Sequence, residues 1–248
     1  MIYFVGAGPG ATDLITVRGQ ALLQSADLVV YAGSLVNPAL LSLCGPNCGI
    51  LDSAKMTLEE VVSAMAARGP AETVVRLHTG DPSIYGAIRE QMDALRARGL
   101  PFGVVPGVSS FCAAAAALEA EYTLPDVSQT VIVTRMAGRT SVPERENIPA
   151  LAAHGATMVL FLSVGMLEKL RDELLAGGYS PDTPAAIVYK ASWPDEKIAR
   201  GTVANLPELG AGITKTALVL VGRFLDGDYA RSKLYDPAFS HGCREAKP

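Results

Sequence analysis

The chain has 248 residues, of which 49% are hydrophobic and 19% charged, and its net charge is -4. That length and composition allow a sizeable core, in one large domain or two small ones, and exclude a disordered chain. The negative balance argues against a nucleic-acid surface built on overall charge, and no apolar run reaches the roughly 20 residues of a membrane span.

The opening Met1-Ile2-Tyr3-Phe4-Val5 has no basic leader and runs straight into glycines, so it reads as a first strand and not a signal peptide. A helix over Leu14 to Ser25 and a strand over Leu28 to Tyr31 follow. Of Cys44, Cys48, Cys112 and Cys243 only Cys44 and Cys48 lie close together, and no histidine is near those two in sequence, whereas a structural zinc site wants four ligands. They read as ordinary thiols in a reducing, cytoplasmic compartment, and no metal site is expected. A helix is predicted over Leu58 to Arg68, with Thr57 and Glu60 forming a capping box. Thr73 to His78 is a strand, Ser83 to Arg98 a helix ended by Gly99, Phe102 to Val105 a strand and Ser110 to Glu119 a helix. This alternation predicts a mainly parallel sheet covered on both sides.

The second half changes rhythm. Strands are predicted at Thr130 to Arg135, Thr157 to Ser163 and Ala185 to Lys190, with a helix at Met166 to Ala176. Ile198 to Val203 and Ala217 to Phe224 lie too close together for a long crossover, which favours antiparallel neighbours. The expected class is α/β, as two α/β domains: a parallel-rich N-terminal domain (1–121) and a mixed C-terminal domain (129–226). Tyr122 to Ser128 is the expected linker, and 227–248 a polar tail spotted with aromatics.

Two motifs carry chemistry. Gly6, Gly8 and Ala11 satisfy G-x-G-x-x-G/A after a strand, which by itself suggests a dinucleotide. The acid such a site needs is missing, because the second strand ends Tyr31-Ala32-Gly33-Ser34. Pro9 and Gly10 also place a rigid kink where the helix should begin. The glycines let some ligand approach the backbone closely. A tight turn with Asp13 as N-cap is the plain alternative. The second motif, Gly80-Asp81-Pro82, follows the third strand on the side where open α/β sheets bind ligands. Asp81 as N-cap and Pro82 at the first helical position would explain it structurally. Ser109 and Ser110 form a similar loop after the next strand, without the nucleophile elbow of a serine hydrolase.

With those motifs in place, the chain resembles the tetrapyrrole methyltransferases of vitamin B12 and sirohaem synthesis. The likeness rests on Val5-Gly6-Ala7-Gly8-Pro9-Gly10, Leu14-Ile15-Thr16, Gly80-Asp81-Pro82 with Tyr85-Gly86, and Val105-Pro106-Gly107-Val108-Ser109-Ser110. Asp182-Thr183-Pro184 and Tyr189-Lys190-Ala191 extend it to about Leu225. Four stretches resemble the branch that methylates precorrin-4, or its cobalt form, at C-11: Tyr31 to Val36, His78 to Pro82, Thr134 to Thr140, and Ala191 to Lys197. The uroporphyrinogen-type members carry an Asp-Arg pair where Ala32-Gly33-Ser34 stands here, so uroporphyrinogen III is not the expected substrate and no catalytic base is assigned.

The resemblance implies two α/β domains around a trough, a homodimer, S-adenosyl-L-methionine as methyl donor and S-adenosyl-L-homocysteine as product. Around the donor it implies Pro9, Thr79, Gly80, Asp81, Ile84, Ser109, Ser110, Leu162, Tyr189, Ala191, Thr216 and Ala217. A carboxylate-rich tetrapyrrole wants cations, for which Arg135, Arg139 and Lys190 are the candidates, with Arg89 and Lys197 behind them. His78 is either a core histidine or a proton carrier. No nucleic-acid or membrane partner is expected. The competing readings are an NAD-linked oxidoreductase, a relative acting on protein or RNA, and a non-enzymatic tetrapyrrole carrier.

Overall fold

The structure, a computed structural model, describes residues 1–226 and 229–246. The expected tail therefore falls partly outside the described residues, at 227, 228, 247 and 248. Residue contacts divide the chain into two compact units. The first is Met1–Ala114 with Lys190–Glu196, and the second is Ala115–Tyr189 with Lys197–Pro248.

In the first unit, strands β1 (Ile2–Gly6), β2 (Leu28–Tyr31), β3 (Gly49–Asp52), β4 (Val74–His78) and β5 (Phe102–Val105) form one sheet in the order β3-β2-β4-β1-β5. Every pairing in it is parallel. Helix α1 (Val17–Gln24) joins β1 to β2, α2 (Leu58–Ala66) joins β3 to β4, α3 (Ile88–Ala97) joins β4 to β5, and α4 (Ser110–Ala117) follows. Crossovers of one hand that step in the same direction along a sheet must lie on the same face. Leu23 of α1 and Leu40, both on connections stepping toward β3, share a cluster with Val5, Val29, Val75 and Leu77. Val62 and Met65 of α2 and Leu95 of α3, on connections stepping toward β5, pack with Phe4, Leu28, Val30 and Val74 on the other face. Period-2 alternation along β1, β2, β4 and β5 thus feeds two cores.

Local chemistry set some boundaries as expected. The Thr57 hydroxyl accepts from the Glu60 N–H and the Glu60 carboxylate accepts from the Thr57 N–H at 2.7 Å, so α2 begins on its capping box. Other expectations need correction. The first helix starts at Val17 on a Thr16 cap, whose hydroxyl accepts from the Gly19 N–H at 3.1 Å, so Asp13 does not cap it. The third begins at Ile88 and not Ser83, so Asp81 and Pro82 are not its cap and first residue. Tyr85 and Ala87 hold positive φ (55° and 49°), which breaks the helical run between them. Strand β3 was not expected. It is a short, mostly exposed edge strand whose identity comes from its pairing with β2.

In the second unit, β6 (Val131–Arg135), β7 (Thr157–Phe161), β8 (Pro184–Tyr189), β9 (Lys197–Thr202) and β10 (Ala217–Val221) form a sheet ordered β6-β7-β10-β8-β9. Only β6 and β7 are parallel, so this sheet is mixed. Its last two strands are not neighbours, as their spacing suggested: each pairs antiparallel with β8, which lies between them. Helices α5 (Ile148–Ala152), α6 (Leu167–Ala176) and α7 (Leu206–Leu209) cover one face, burying Ile148, Leu170, Leu174 and Leu206 against Met158, Leu160, Ile187 and Val219. The expected linker packs in this unit: the Thr157 hydroxyl donates to the Tyr122 carbonyl at 2.9 Å, and Tyr122 meets the Phe224 ring edge-on. Among the described residues, no helix is long and apolar enough to cross a membrane.

Candidate active site

Three turns meet at the carboxyl ends of β1, β4 and β5. Pairing of β1 with β4 continues past the strands: the Ala7 N–H donates to the His78 carbonyl (2.7 Å), and Gly8 and Gly80 exchange both backbone hydrogen bonds (3.3 and 2.8 Å). Gly8 and Gly80 sit at φ of 79° and 59°, where a side chain is strained. Gly107 closes the third side. A Cβ on Gly6 would lie 2.5 Å from the Gly107 Cα and 2.6 Å from the Gly80 carbonyl oxygen. The three strand ends are therefore packed backbone against backbone.

Asp81 ties the turns together. One carboxylate oxygen accepts from the Gly107 N–H at 2.8 Å. The other accepts from the Ser83 N–H at 2.8 Å and from the Ser83 hydroxyl. Burial by itself would raise the Asp81 pKa; the bonds from the Ser83 hydroxyl, the Gly107 N–H and the Ser83 N–H outweigh it and hold the group below the usual carboxylate range. Asp81 is thus ionised at neutral pH. It is the only charged residue in 6–11, 79–84 and 106–110, stretches with no lysine or arginine.

The structure brings Pro9, Thr79, Gly80, Asp81, Ile84, Ser109, Ser110 and Ala191 into the first unit. Pro9, Gly80, Ser109 and Ala191 are buried, while Thr79, Asp81, Ile84 and Ser110 are half-buried. Ala191 arrives on the β8–β9 connection, whose Ser192 hydroxyl accepts from the Ala11 N–H at 3.0 Å. Trp193, on the same connection, donates its indole N–H to the Pro9 carbonyl at 2.9 Å. Asn37 adds a bond to the Gly10 carbonyl at 2.8 Å. These three side chains were not singled out from the sequence, although Trp193 lies inside a stretch that carried the family resemblance.

Leu162, Tyr189, Thr216, Ala217 and Arg135 gather at one end of the second unit's sheet. Ala217 is paired with Tyr189 and Arg135 with Phe161, the residue before Leu162. Leu162 is 68% exposed at a φ of 53°, and Thr216 has a φ of 58°. An exposed leucine in a strained backbone is the kind of feature that functional sites retain. Two of the proposed substrate cations have local partners. Arg135 donates to the carbonyls of Met136, Thr140 and Ser141, folding the loop after β6 around its guanidinium. Lys190 pairs with Asp195 at 2.6 Å and lies over the Trp193 ring. Arg139 is exposed. An open hollow of about 670 Å³ elsewhere in the second unit, lined by Glu121, Gln129, Tyr229 and Arg231 among others, contains none of the residues identified from the sequence.

His78 ends β4 beside the cluster but faces the core, 4% exposed and 6.1 Å from the Phe4 ring centre. Burial, and then the charge of Arg76, depress its pKa to about 3. It is a neutral core histidine, which a proton carrier working near neutral pH is not. Arg76 is itself buried, donating to the Gln91 side chain (3.0 Å) and the Val30 carbonyl (3.1 Å). Gln91 in turn donates to the Ala87 carbonyl at 3.0 Å, steadying the start of α3, which has no side-chain cap.

The profile of the Tetrapyrrole (Corrin/Porphyrin) Methylases matches residues 1–207. The chain belongs to the tetrapyrrole methylase family. A cobalt-precorrin-4 C(11)-methyltransferase of Methanocaldococcus jannaschii is 51% identical, over 99% of this chain and 96% of its own length. A precorrin-4 C(11)-methyltransferase of Mycobacterium tuberculosis is 46% identical, over 97% of this chain and 98% of its own. The X-ray structure of a cobalt precorrin-4 methyltransferase superposes with a TM-score of 0.89 at 51% identity, covering 91% of this chain and 96% of that one. As a tetrapyrrole methylase this chain is an S-adenosylmethionine-dependent methyltransferase, and the dinucleotide reading of Gly6 to Ala11 is set aside.

Proposed function

We propose that the chain transfers a methyl group from S-adenosyl-L-methionine to C-11 of precorrin-4 in cobalamin biosynthesis, giving precorrin-5 and S-adenosyl-L-homocysteine. End-to-end likeness to relatives named for this reaction supports the substrate. One observation carries the donor: the three converging turns hold an ionised carboxylate, Asp81, and no cation. A phosphate site would need converging cations or N–H groups. A sulfonium is better served by carbonyls, a carboxylate and a close-fitting apolar wall.

Bound S-adenosylmethionine supplies an already activated methyl group. The protein's share is then to hold donor and nucleophilic carbon in line and to exclude water, which is a matter of position more than of acid–base strength. In this reading Pro9, Thr79, Gly80, Ile84, Ser109, Ser110 and Ala191 shape the donor wall, and Asp81 fixes two of its turns while setting its potential. Leu162, Tyr189, Thr216 and Ala217 are donor contacts by family likeness, and Arg135, Arg139 and Lys190 are candidate partners for the tetrapyrrole carboxylates. A cytoplasmic homodimer belongs to the same reading, and sedimentation velocity tests the dimer.

The deciding assay incubates methyl-labelled donor with precorrin-4, with and without cobalt, and locates the label by carbon NMR. Label at C-11 is the expected result, and comparing the two arms identifies the natural macrocycle. Tight NAD(H) binding without S-adenosylmethionine binding, or label delivered to protein or RNA, would defeat the proposal. Asp81→Asn is expected to weaken donor binding about tenfold, since it loses both the charge and an acceptor for the Gly107 N–H; unchanged calorimetric affinity counts against the donor assignment. Arg135→Ala is expected to raise the tetrapyrrole KM more than the donor KM, with steady-state kinetics as the check.

A further inference from the structure

The β8–β9 connection, Lys190–Glu196, packs with the first unit and is shaped for one contact. Lys190 and Ser192 both hold positive φ (48° and 68°), a strained choice for residues other than glycine. Local bonds maintain it: the Ser192 N–H donates to the Glu196 carboxylate at 2.6 Å, the Trp193 N–H to the Lys190 carbonyl at 2.9 Å, and Lys190 pairs with Asp195 while lying 5.2 Å from the Trp193 ring centre. The outcome is a fixed indole. Its N–H meets the Pro9 carbonyl, and its ring fills the space where a Gly10 side chain would be, with the Trp193 Cγ 2.8 Å from an added Cβ. Gly10 is not at positive φ, so the ring and not the backbone conformation demands glycine there.

We propose that Trp193 is a positioning residue for methyl transfer: acting through the Pro9 carbonyl and Gly10, it holds the Gly8–Ala11 turn in the shape that the donor meets. This rests on the reading of that turn as part of the donor wall. The strained connection is present to deliver the indole, and the glycine to receive it.

The test is a double-mutant cycle on the full chain, read by calorimetry with S-adenosylhomocysteine and by steady-state kinetics. Gly10→Ala alone is expected to raise the dissociation constant about tenfold; in a Trp193→Ala background the same change should cost less than about twofold, because the clash has gone. Trp193→Phe keeps a ring but loses the donor. It should raise the donor KM and Kd by about fivefold, the range of one hydrogen bond, while leaving the tetrapyrrole KM unchanged. Because Trp193 is the only tryptophan, wild-type emission should shift saturably as S-adenosylhomocysteine is added. An equal cost of Gly10→Ala in both backgrounds overturns the proposal. If Trp193→Ala does not fold, unchanged donor constants in Trp193→Phe overturn it alone. If Asp81→Asn weakens the donor and Trp193→Phe does not, only the tryptophan's role falls. If neither change alters donor binding, the donor reading of these turns falls with it.

Discussion

Gly107→Ala is expected to destabilise the first unit by about 3 kcal/mol, the upper end of what overpacking costs. A Cβ there would strike the Gly80 carbonyl oxygen and stand 2.8 Å from the Gly6 Cα, and both obstacles are backbone. The residue cannot draw back, because its N–H is held by Asp81 at 2.8 Å. Relief on one side therefore breaks the bond on the other. Gly45→Ala is the control. Its nearest neighbour, the Gln24 carbonyl oxygen, is 3.8 Å away, and a change within about 0.5 kcal/mol is expected. Urea unfolding of the two variants decides the matter, and a loss below about 1 kcal/mol for Gly107→Ala would show that the strand ends yield.

Acid should unfold this protein through His78. An unfolded imidazole takes its proton near 6.5, whereas the folded one resists until about 3, through burial first and the Arg76 charge second. Its Nε2 has no hydrogen-bond partner among the described residues, so nothing compensates a proton placed there. Between those values the unfolded chain binds one more proton than the folded chain. Stability is then fully present above about 6.5 and falls by about 1.4 kcal/mol for each unit of pH below it, until the folded value is reached. His78→Leu should remove that slope and gain on the wild type by roughly 2–3 kcal/mol at pH 4.5. Urea midpoints at pH 7, 5.5 and 4.5 measure it. Parallel curves for the two proteins would show that His78 is not the sensitive group.

Elements that depend on neighbours in sequence were legible. Thr57 and Glu60 sit three residues apart, and their capping box forms because both partners belong to one turn. The parallel sheet followed from alternating strands and helices, since a crossover helix leaves little other choice. The helix predicted from Ser83 does not begin until Ile88. One Asp81 oxygen does take the nearby Ser83 N–H, as a cap would, but the other is held by the N–H of a residue 26 positions away, and the chain turns through Tyr85 and Ala87 before α3 begins. Strand order in the second unit was hidden likewise. Spacing says which strands can be antiparallel, and does not say that β8 inserts between β9 and β10.

The candidate site divides along the same line. Gly6-Ala7-Gly8-Pro9-Gly10 and Gly80-Asp81-Pro82 stand out in the sequence because glycine, proline and aspartate have conformational uses that no other residues share. Their order along the chain is enough to mark the family, and the missing acid after Tyr31 is enough to disfavour a dinucleotide. What those residues do to one another lies beyond one-dimensional pattern. Asp81 stitches turns in place of capping a helix, and His78 faces the core although it borders the motif. Trp193 reaches Pro9 across 184 residues of chain. Local propensity is written residue by residue, but a hydrogen bond between distant turns exists only once packing has brought its donor and acceptor within about 3 Å.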